Sequence, residues 1–310
     1  MIRKFIIMSC ILSAFVLTSC VSTKQDVVSS GTLATGNENA AATYVGLKRK
    51  VAIARFSNET QYAKGAFYDK ENDPMSKQAS DILSTKLANS GKFIMLERSD
   101  LDSVIAEKQY SQVPADFIIV GSVTQYGRRN EGETGLLTRS LRQIVEASVS
   151  IRLIDTVTGQ IVYAEEGSGE AVTENTTTMG LGGRTGYDAT LDDKAISAAI
   201  SKLVENIINN CMDKPWRSYL ISYEDDAVII SGGKSMGIKP NDTFDIYEKG
   251  KLVKNPATGM MIELPGKKIG SLQVISSAGN TAESEYSFVK ITSGIIDSKN
   301  LSKYEIMEAK

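Results

Sequence analysis

The chain of 310 residues contains no histidine, only three cysteines and a single tryptophan. Histidine is the commonest general base and the commonest metal ligand, so its absence excludes Ser–His–Asp and Cys–His catalytic sites and every zinc site that uses histidine. The 35 basic and 37 acidic residues nearly balance, and no basic face indicates a nucleic-acid partner. The composition therefore argues against a histidine-dependent enzyme and against a nucleic-acid-binding protein.

Two of the three cysteines lie within the first 20 residues, where the sequence has the order of an export signal. Arg3 and Lys4 are positively charged, residues 5–17 are mostly apolar and uncharged, and residues 17–20 read Leu-Thr-Ser-Cys. The apolar part is shorter than the roughly 20 residues that a spanning helix needs. These features predict a signal peptide over residues 1–19.

The sequence Leu-Thr-Ser-Cys resembles a bacterial lipobox, in which the cysteine thiol receives a diacylglyceryl group before cleavage in front of it. The resemblance implies cleavage between Ser19 and Cys20 and acylation of Cys20. Each buried methylene contributes about 0.8 kcal/mol, and stable attachment takes two chains, so a lipid on Cys20 would hold the chain on a membrane. An ordinary signal peptide with an incidental cysteine, or an uncleaved anchor, is the alternative.

Cys211 would then be the only free thiol of the trimmed chain, so no intramolecular disulfide is expected. It lies near the end of an amphipathic pattern, where a cysteine usually serves as a small buried hydrophobe. The fold is therefore expected to depend on packing alone.

Residues 20–46 are rich in Ser, Thr, Ala, Gly and Asn without apolar periodicity, which predicts a flexible tether. From residue 50 onward, short apolar runs alternate with helical periodicity in the order βαβαβ, which favours an α/β layer. The strands are predicted at 50–56, 93–96 and 115–123, and the helices at 75–90 and 99–105.

Residues 144–154 alternate apolar and polar side chains, and residues 160–172 form the predicted return strand of a hairpin. A long amphipathic helix follows over about 191–208, with Asp192 and Asp193 suited to its N-terminal dipole. Seven apolar positions are expected in the core of this domain: Ile53, Leu83, Leu96, Ile119, Leu153, Ile200 and Leu203.

Pro215 marks a predicted domain boundary, beyond which short apolar runs alternate with turn residues. The fold class is therefore predicted as α+β or α/β. A three-layer-like α/β domain with a β-hairpin extension would span 47–212, and a small all-β barrel or sandwich would span 216–296. Residues 297–310 form a tail that either adds a strand or stays loose.

Several motifs could suggest chemistry, but each lacks a necessary part. The glycine-rich segment 180–186 has no Gly-Lys-Ser/Thr ending, so a hairpin tip is favoured over a phosphate-binding loop. The adjacent pairs Glu165-Glu166 and Asp192-Asp193 do not converge on one site, and Asp242 lacks the ligand count of a calcium loop. No catalytic, cofactor-binding or metal-ligating residue is predicted, and no cofactor is expected.

Four segments in order resemble the curli production assembly/transport protein (CsgG) family: 50–59, 93–101, 115–123 and 149–161, followed by the closing helix. The resemblance covers about residues 50–210. It implies a lipoprotein of the outer membrane, anchored at its periplasmic face, that acts without catalysis in secretion or assembly of envelope structures. Protein partners in the envelope and a homo-oligomer are the implied associations.

In the curli protein itself, two hairpins from each subunit of a ring build a shared transmembrane β-barrel that exports fibre subunits. Here the hairpins would come from residues 125–150 and 162–190, which contain few aromatic residues. Arg128 and Arg129 are adjacent and must point to opposite faces of a strand, so we predict no complete transmembrane strand. An oligomeric secretion channel stays an alternative, as does a regulatory lipoprotein that reaches a cell-wall synthesis enzyme.

Overall fold

The computed structural model describes residues 22–28, 44–61, 73–96, 114–134, 138–178, 188, 190–224, 227–254, 256–257, 259, 261–282 and 284–309. These residues form two α-helices, α1 (Pro74–Asn89) and α2 (Thr190–Met212). The strands of the first half are β1 (Ser22–Val28), β2 (Arg49–Asn58), β3 (Phe93–Leu96), β4 (Phe117–Thr134), β5 (Thr138–Asp155) and β6 (Ile161–Thr178). Those of the second half are β7 (Arg217–Ser218), β8 (Leu220–Glu224), β9 (Ala227–Ser231), β10 (Thr243–Glu248), β11 (Leu252–Lys254), β12 (Met261–Glu263), β13 (Lys267–Ala278), β14 (Tyr286–Ser293) and β15 (Tyr304–Glu308).

The first sheet has the strand order β1-β6-β5-β4-β2-β3. β2 pairs in parallel with β3 and β4, whereas β4, β5, β6 and β1 are antiparallel neighbours. β2 pairs with β4 only as far as Val123. Beyond that residue, β4, β5 and β6 continue with β1 as a narrower part of the sheet, which we call the ribbon. We call the end of the ribbon that carries Thr134, Thr138 and Thr178 the distal end. Each of these three strands has 18 residues, so the ribbon and sheet together are about 60 Å long at roughly 3.4 Å per residue.

Both helices pack on one face of this sheet and against each other. α1 begins where the carboxylate of Asp73 accepts a hydrogen bond from Ser76 N at 2.9 Å, with Pro74 at the first helical position. α2 lies close to β6 because β6 has glycines beneath it: a Cβ at Gly169 would lie 2.3 Å from Ala195 O. The first core therefore combines two helices with the inward face of the sheet.

Six of the seven expected core positions lie in that first core, including Leu83, Ile119 and Leu153. Leu96 is also buried, but it packs with Ala52 and Ala115 in a separate cluster. The helix predicted at 99–105 lies outside the described residues. The third layer of the predicted fold class therefore stays a prediction, while a mixed, sheet-dominated α+β fold is observed.

The second sheet has the order β7-β15-β10-β13-β14-β9-β8, and all its neighbours are antiparallel. Only Tyr219 separates β7 from β8 in the chain, yet these strands occupy opposite ends of the order. The sheet must therefore curl until its edges are adjacent, and it is nearly closed. Its core is built around Trp216 and Phe244, whose ring centroids are 5.1 Å apart.

The predicted tether differs from the structure in part, whereas the predicted tail adds a strand, which is one of its two alternatives. The tether predicted over 20–46 contains β1, which pairs with β6 from Ser22 opposite Thr176 to Val28 opposite Glu170. The predicted tail contains β15, which lies between β7 and β10 in the second sheet. The predicted domain limits themselves stay a prediction. No helix within the described ranges is long and apolar enough to cross a membrane.

Candidate functional site

The predicted lipidation and cleavage residues, Cys20 and Ser19, lie outside the described residues. The first described residue after them, Ser22, pairs with Thr176 near the distal end of the first sheet. Thr178 at the end of β6 pairs with Thr138 at the start of β5. β1 therefore begins at the same end of the sheet as the connection between β4 and β5.

Arg128 and Arg129 point to opposite faces of β4, as predicted. Arg128 is largely buried: its Nη1 donates to Asp192 Oδ1 at 2.9 Å, and its Nη2 donates to Gln143 Oε1 at 2.7 Å and Asp188 O at 3.0 Å. Asp192 lies in the first turn of α2, where the helix dipole favours a negative charge. Arg128 thus joins β4, β5 and the N-terminus of α2 through one side chain.

Arg129 lies on the exposed face, where it pairs with Glu131 and with Glu146 of the neighbouring strand. Hydrogen bonds to these two carboxylates raise the pKa of Arg129 above its ordinary value. Water screens such a pair, so it fixes little of the fold. The ribbon therefore has one face held by α2 and one face of solvated charge.

The adjacent carboxylates do not converge, as predicted from their spacing. Glu165 accepts from Asn206 of α2 at 2.9 Å, whereas Glu166 points to the other face and accepts from Thr124 at 2.7 Å. Asp192 binds Arg128, while Asp193 accepts a hydrogen bond from Gln78 of α1. These four acids therefore serve contacts between elements of the first core or along its strands.

Cys211 is a free thiol that is fully buried in the first core, as predicted. Burial raises the pKa of Cys211 to about 12, against the opposing effect of the Arg49 charge. A thiol with so high a pKa is neutral at physiological pH and unreactive. Among the described residues, no group of three or more Cys, Asp or Glu side chains could hold a metal ion. The segment 180–186 lies outside those residues.

A cleft at the junction of the two cores was not anticipated. Arg49 is one of its lining residues. The Arg49 side chain is almost fully buried, with Nη1 donating to Leu47 O at 3.1 Å and Nη2 to Lys214 O at 2.8 Å. Arg49 also lies 3.6 Å from Glu308 of β15. Burial lowers the pKa of Arg49, and the Glu308 charge opposes this shift. The start of β2 is therefore tied to Lys214, which precedes β7 in the chain, and to Glu308 in β15 of the second sheet.

Next to Arg49, Lys50 and Asp116 form a second polar contact within the cleft. Lys50 N donates to Asp116 Oδ2 at 2.7 Å, and Lys50 Nζ lies 3.8 Å from Asp116 Oδ1. Burial raises the pKa of Asp116, opposed by the nearby charge of Lys50. The open cleft beside this pair has a volume of about 240 Å³ and includes Val157 and Tyr219 among its lining residues.

Sequence reasoning missed this cleft because its parts are far apart in the chain and none carries a motif. Lys50 was interpreted only as the charged start of an apolar strand, and Asp116 as a residue within another. Lys214 and Tyr219 flank the predicted boundary at Pro215. Only the three-dimensional arrangement of two sheets brings these residues together.

Comparisons with known proteins give one family and one sequence relative. The family described as Curli production assembly/transport component CsgG matches residues 33–240. A protein of Neisseria meningitidis serogroup B, named as a lipoprotein, is 33% identical over 182 residues, covering 56% of this chain and 81% of the relative. The family match extends past Pro215 into the second sheet, beyond the resemblance seen over residues 50–210.

Solved structures give weaker likenesses. The PelC dodecamer variant from Paraburkholderia phytofirmans matches with a TM-score of 0.26 and 16% identity, covering 59% of this chain and 97% of that chain. The lipoprotein GNA1162 from Neisseria meningitidis matches with a TM-score of 0.28 and 12% identity, covering 54% and 99%. Both TM-scores are below 0.5, so the family match and the sequence relative carry the assignment.

Proposed function

Since this chain belongs to the curli production assembly/transport component (CsgG) family, we propose that it is a lipid-anchored protein of the cell envelope that acts without catalysis in assembly or secretion. The match over residues 33–240 is the observation that carries this proposal. The Neisseria relative, whose name describes a lipoprotein, supports the lipid anchor. The proposed location is the periplasmic face of the outer membrane.

The proposed anchor is an acyl lipid on Cys20. Replacing Cys20 with Ala should abolish labelling of the protein by a palmitate analogue and release it from the membrane fraction, because the acylated thiol is lost. Cys10→Ala is the matched control, since Cys10 lies within the apolar part of the signal. It should leave labelling unchanged. Persistent labelling of the Cys20→Ala protein would place the anchor elsewhere and refute this part of the proposal.

Within this role, the contacts of Arg128 favour an assembly factor over a channel. The side chain of Arg128 links β4 to α2, and residues 129–134 are the described part of β4 that extends beyond it. Six residues span about 20 Å at roughly 3.4 Å per residue. A transmembrane strand needs about 9–11 residues around an apolar band of roughly 25 Å. The described part of β4 beyond Arg128 is therefore shorter than a transmembrane strand.

Electron microscopy of the lipidated protein and conductance in a planar bilayer separate the narrower functions. An assembly factor predicts no stable conductance, whatever the oligomeric state seen in the images. Rings with a central channel, and conductance that is lost when residues 125–150 are deleted, would establish a secretion channel instead. Copurification of the intact protein with a cell-wall synthesis enzyme would favour the regulatory role.

A further inference from the structure

The junction cleft has an excess of positive charge. Five basic side chains and three acidic side chains line it: Arg49, Lys50, Lys214, Arg217 and Lys249 against Asp116, Asp155 and Glu305. Arg49 and Lys50 are both buried and lie beside Glu308 and Asp116, so the excess depends on Lys214, Arg217 and Lys249. An anionic group in the cleft would therefore meet a favourable field.

Two of the three acids are already engaged by the protein itself. Asp155 Oδ1 accepts from Val157 N at 2.9 Å and from Thr158 N at 3.3 Å, which fixes the turn between β5 and β6. Asp116 is held by Lys50. On the basic side, the guanidinium of Arg217 has no ion pair or hydrogen bond within the described part of the chain, although its charge lowers the pKa of Asp116. Arg217 is thus available to bind an anion.

The cleft also offers apolar surface beside this charge. Val157 is 62% exposed and Tyr219 is 43% exposed, and both line the cleft. Ala115, Phe117 and Pro215 add apolar lining. The cleft therefore places two exposed apolar side chains beside a cation that has no ion pair in the described part of the chain.

The size of the cleft limits what it can hold. A volume of about 240 Å³ lies below the roughly 300–1,000 Å³ of sites for drug-sized ligands. It suits one side chain and a carboxylate better than a whole cofactor. We propose that the junction cleft binds the C-terminal carboxylate of a partner polypeptide that ends in an apolar residue. The carboxylate pairs with Arg217, and the terminal side chain lies between Val157 and Tyr219.

This inference rests on the proposed function in one respect: the ligand is a binding partner and not the substrate of an enzyme. It does not require the lipid on Cys20. The test uses the full chain in detergent and a fluorescein-labelled hexapeptide that ends in Phe with a free carboxylate, followed by fluorescence anisotropy. The same peptide with a C-terminal amide should bind at least 10-fold more weakly. Palmitate labelling of the same preparation reports the anchor separately, so the two proposals fail independently.

Two variants examine the charge and the apolar contact. Arg217→Gln should weaken binding of the carboxylate peptide at least 10-fold, whereas Arg142→Gln, an exposed arginine outside the cleft, should not change it. Val157→Ser should weaken binding 3-fold or more, with Val253→Ser as the exposed control outside the cleft. All four side chains are at least partly exposed, and unchanged circular dichroism spectra will verify that the variants fold.

Three outcomes would overturn the proposal. The first is no saturable binding of the carboxylate peptide, and the second is equal binding of the carboxylate and amide peptides. The third is failure of peptide binding together with Arg217-dependent sedimentation of the Cys20→Ala protein on phosphatidylglycerol vesicles. That result would assign the cleft to an anionic lipid headgroup.

Discussion

Truncation of Arg128 to Ala tests whether one side chain holds the ribbon against α2. The change removes the ion pair with Asp192 and the hydrogen bonds to Gln143 and Asp188. Side-chain exposures of 11% for Arg128 and 18% for Asp192 show that water would not replace these contacts readily. Breaking a buried pair by removing one partner costs about 3–5 kcal/mol.

We expect the lower end of that range, about 3 kcal/mol, because Asp192 keeps its favourable place in the first turn of α2. With an m-value of about 2 kcal/mol per M in urea, the midpoint should fall by about 1.5 M. Far-ultraviolet circular dichroism follows the described α-helices, which belong to the first core, whereas the single tryptophan, Trp216, reports the second core. The dichroism transition should therefore shift more than the fluorescence transition.

Arg129→Ala is the matched control, because Arg129 is exposed and adjacent. Its midpoint should equal that of the wild type within error. Adding Asp192→Asn to each background completes a double-mutant cycle that isolates the coupling of the pair. Equal midpoints for the Arg128→Ala and Arg129→Ala proteins, or a coupling of zero, would refute the assignment of Arg128 as the link between ribbon and helix.

Two further predictions concern the first core. Gly169→Val should displace α2 and lower the stability of the protein by about 1–3 kcal/mol, because a Cβ at this position meets Ala195 O. Gly127→Val should be tolerated, because a Cβ there meets nothing within 4 Å. Equal urea midpoints for the two variants would contradict the close approach of α2 to β6. In a chain with Cys10 and Cys20 replaced by Ser, Cys211 should resist iodoacetamide until urea unfolds the protein, and its reaction in the native state should accelerate only as the pH approaches about 12. Native-state alkylation near pH 9, the ordinary pKa of a thiol, would show that Cys211 is not buried as described.

The alternation of apolar and polar residues explains why the parts of β4, β5 and β6 that pack on the first core could be predicted from the sequence. Val145, Val149 and Leu153 all face the first core, and the polar residues between them face outward or pack at its edge. The distal halves of β4 and β6 carry polar residues on both faces, so period-two patterning gave no signal there. Their extension to Thr134 and Thr178 depends on pairing with β5, which a local pattern does not contain.

Long-range pairing also explains the elements that were missed. β1 is a short polar strand whose partner, β6, lies more than a hundred residues away in the sequence. The junction cleft depends on Arg49 meeting Lys214 and Glu308, residues from three distant parts of the chain. Strand alternation describes neighbours in sequence, so it predicted the opposite faces of Arg128 and Arg129 but not these contacts, and the family segments were found by resemblance.

The position of β15 has a consequence for the order in which this chain can fold. β15 is the last strand in sequence, yet it lies between β7 and β10 rather than at an edge. Glu308 also donates its backbone N–H to Trp216 O and lies beside Arg49. A chain that emerges N-terminus first can complete the first core once residue 212 is free, but its second sheet must wait for residues 304–308. Loss of residues 304–310 would therefore remove the strand with which both β7 and β10 pair, and would expose the core around Trp216.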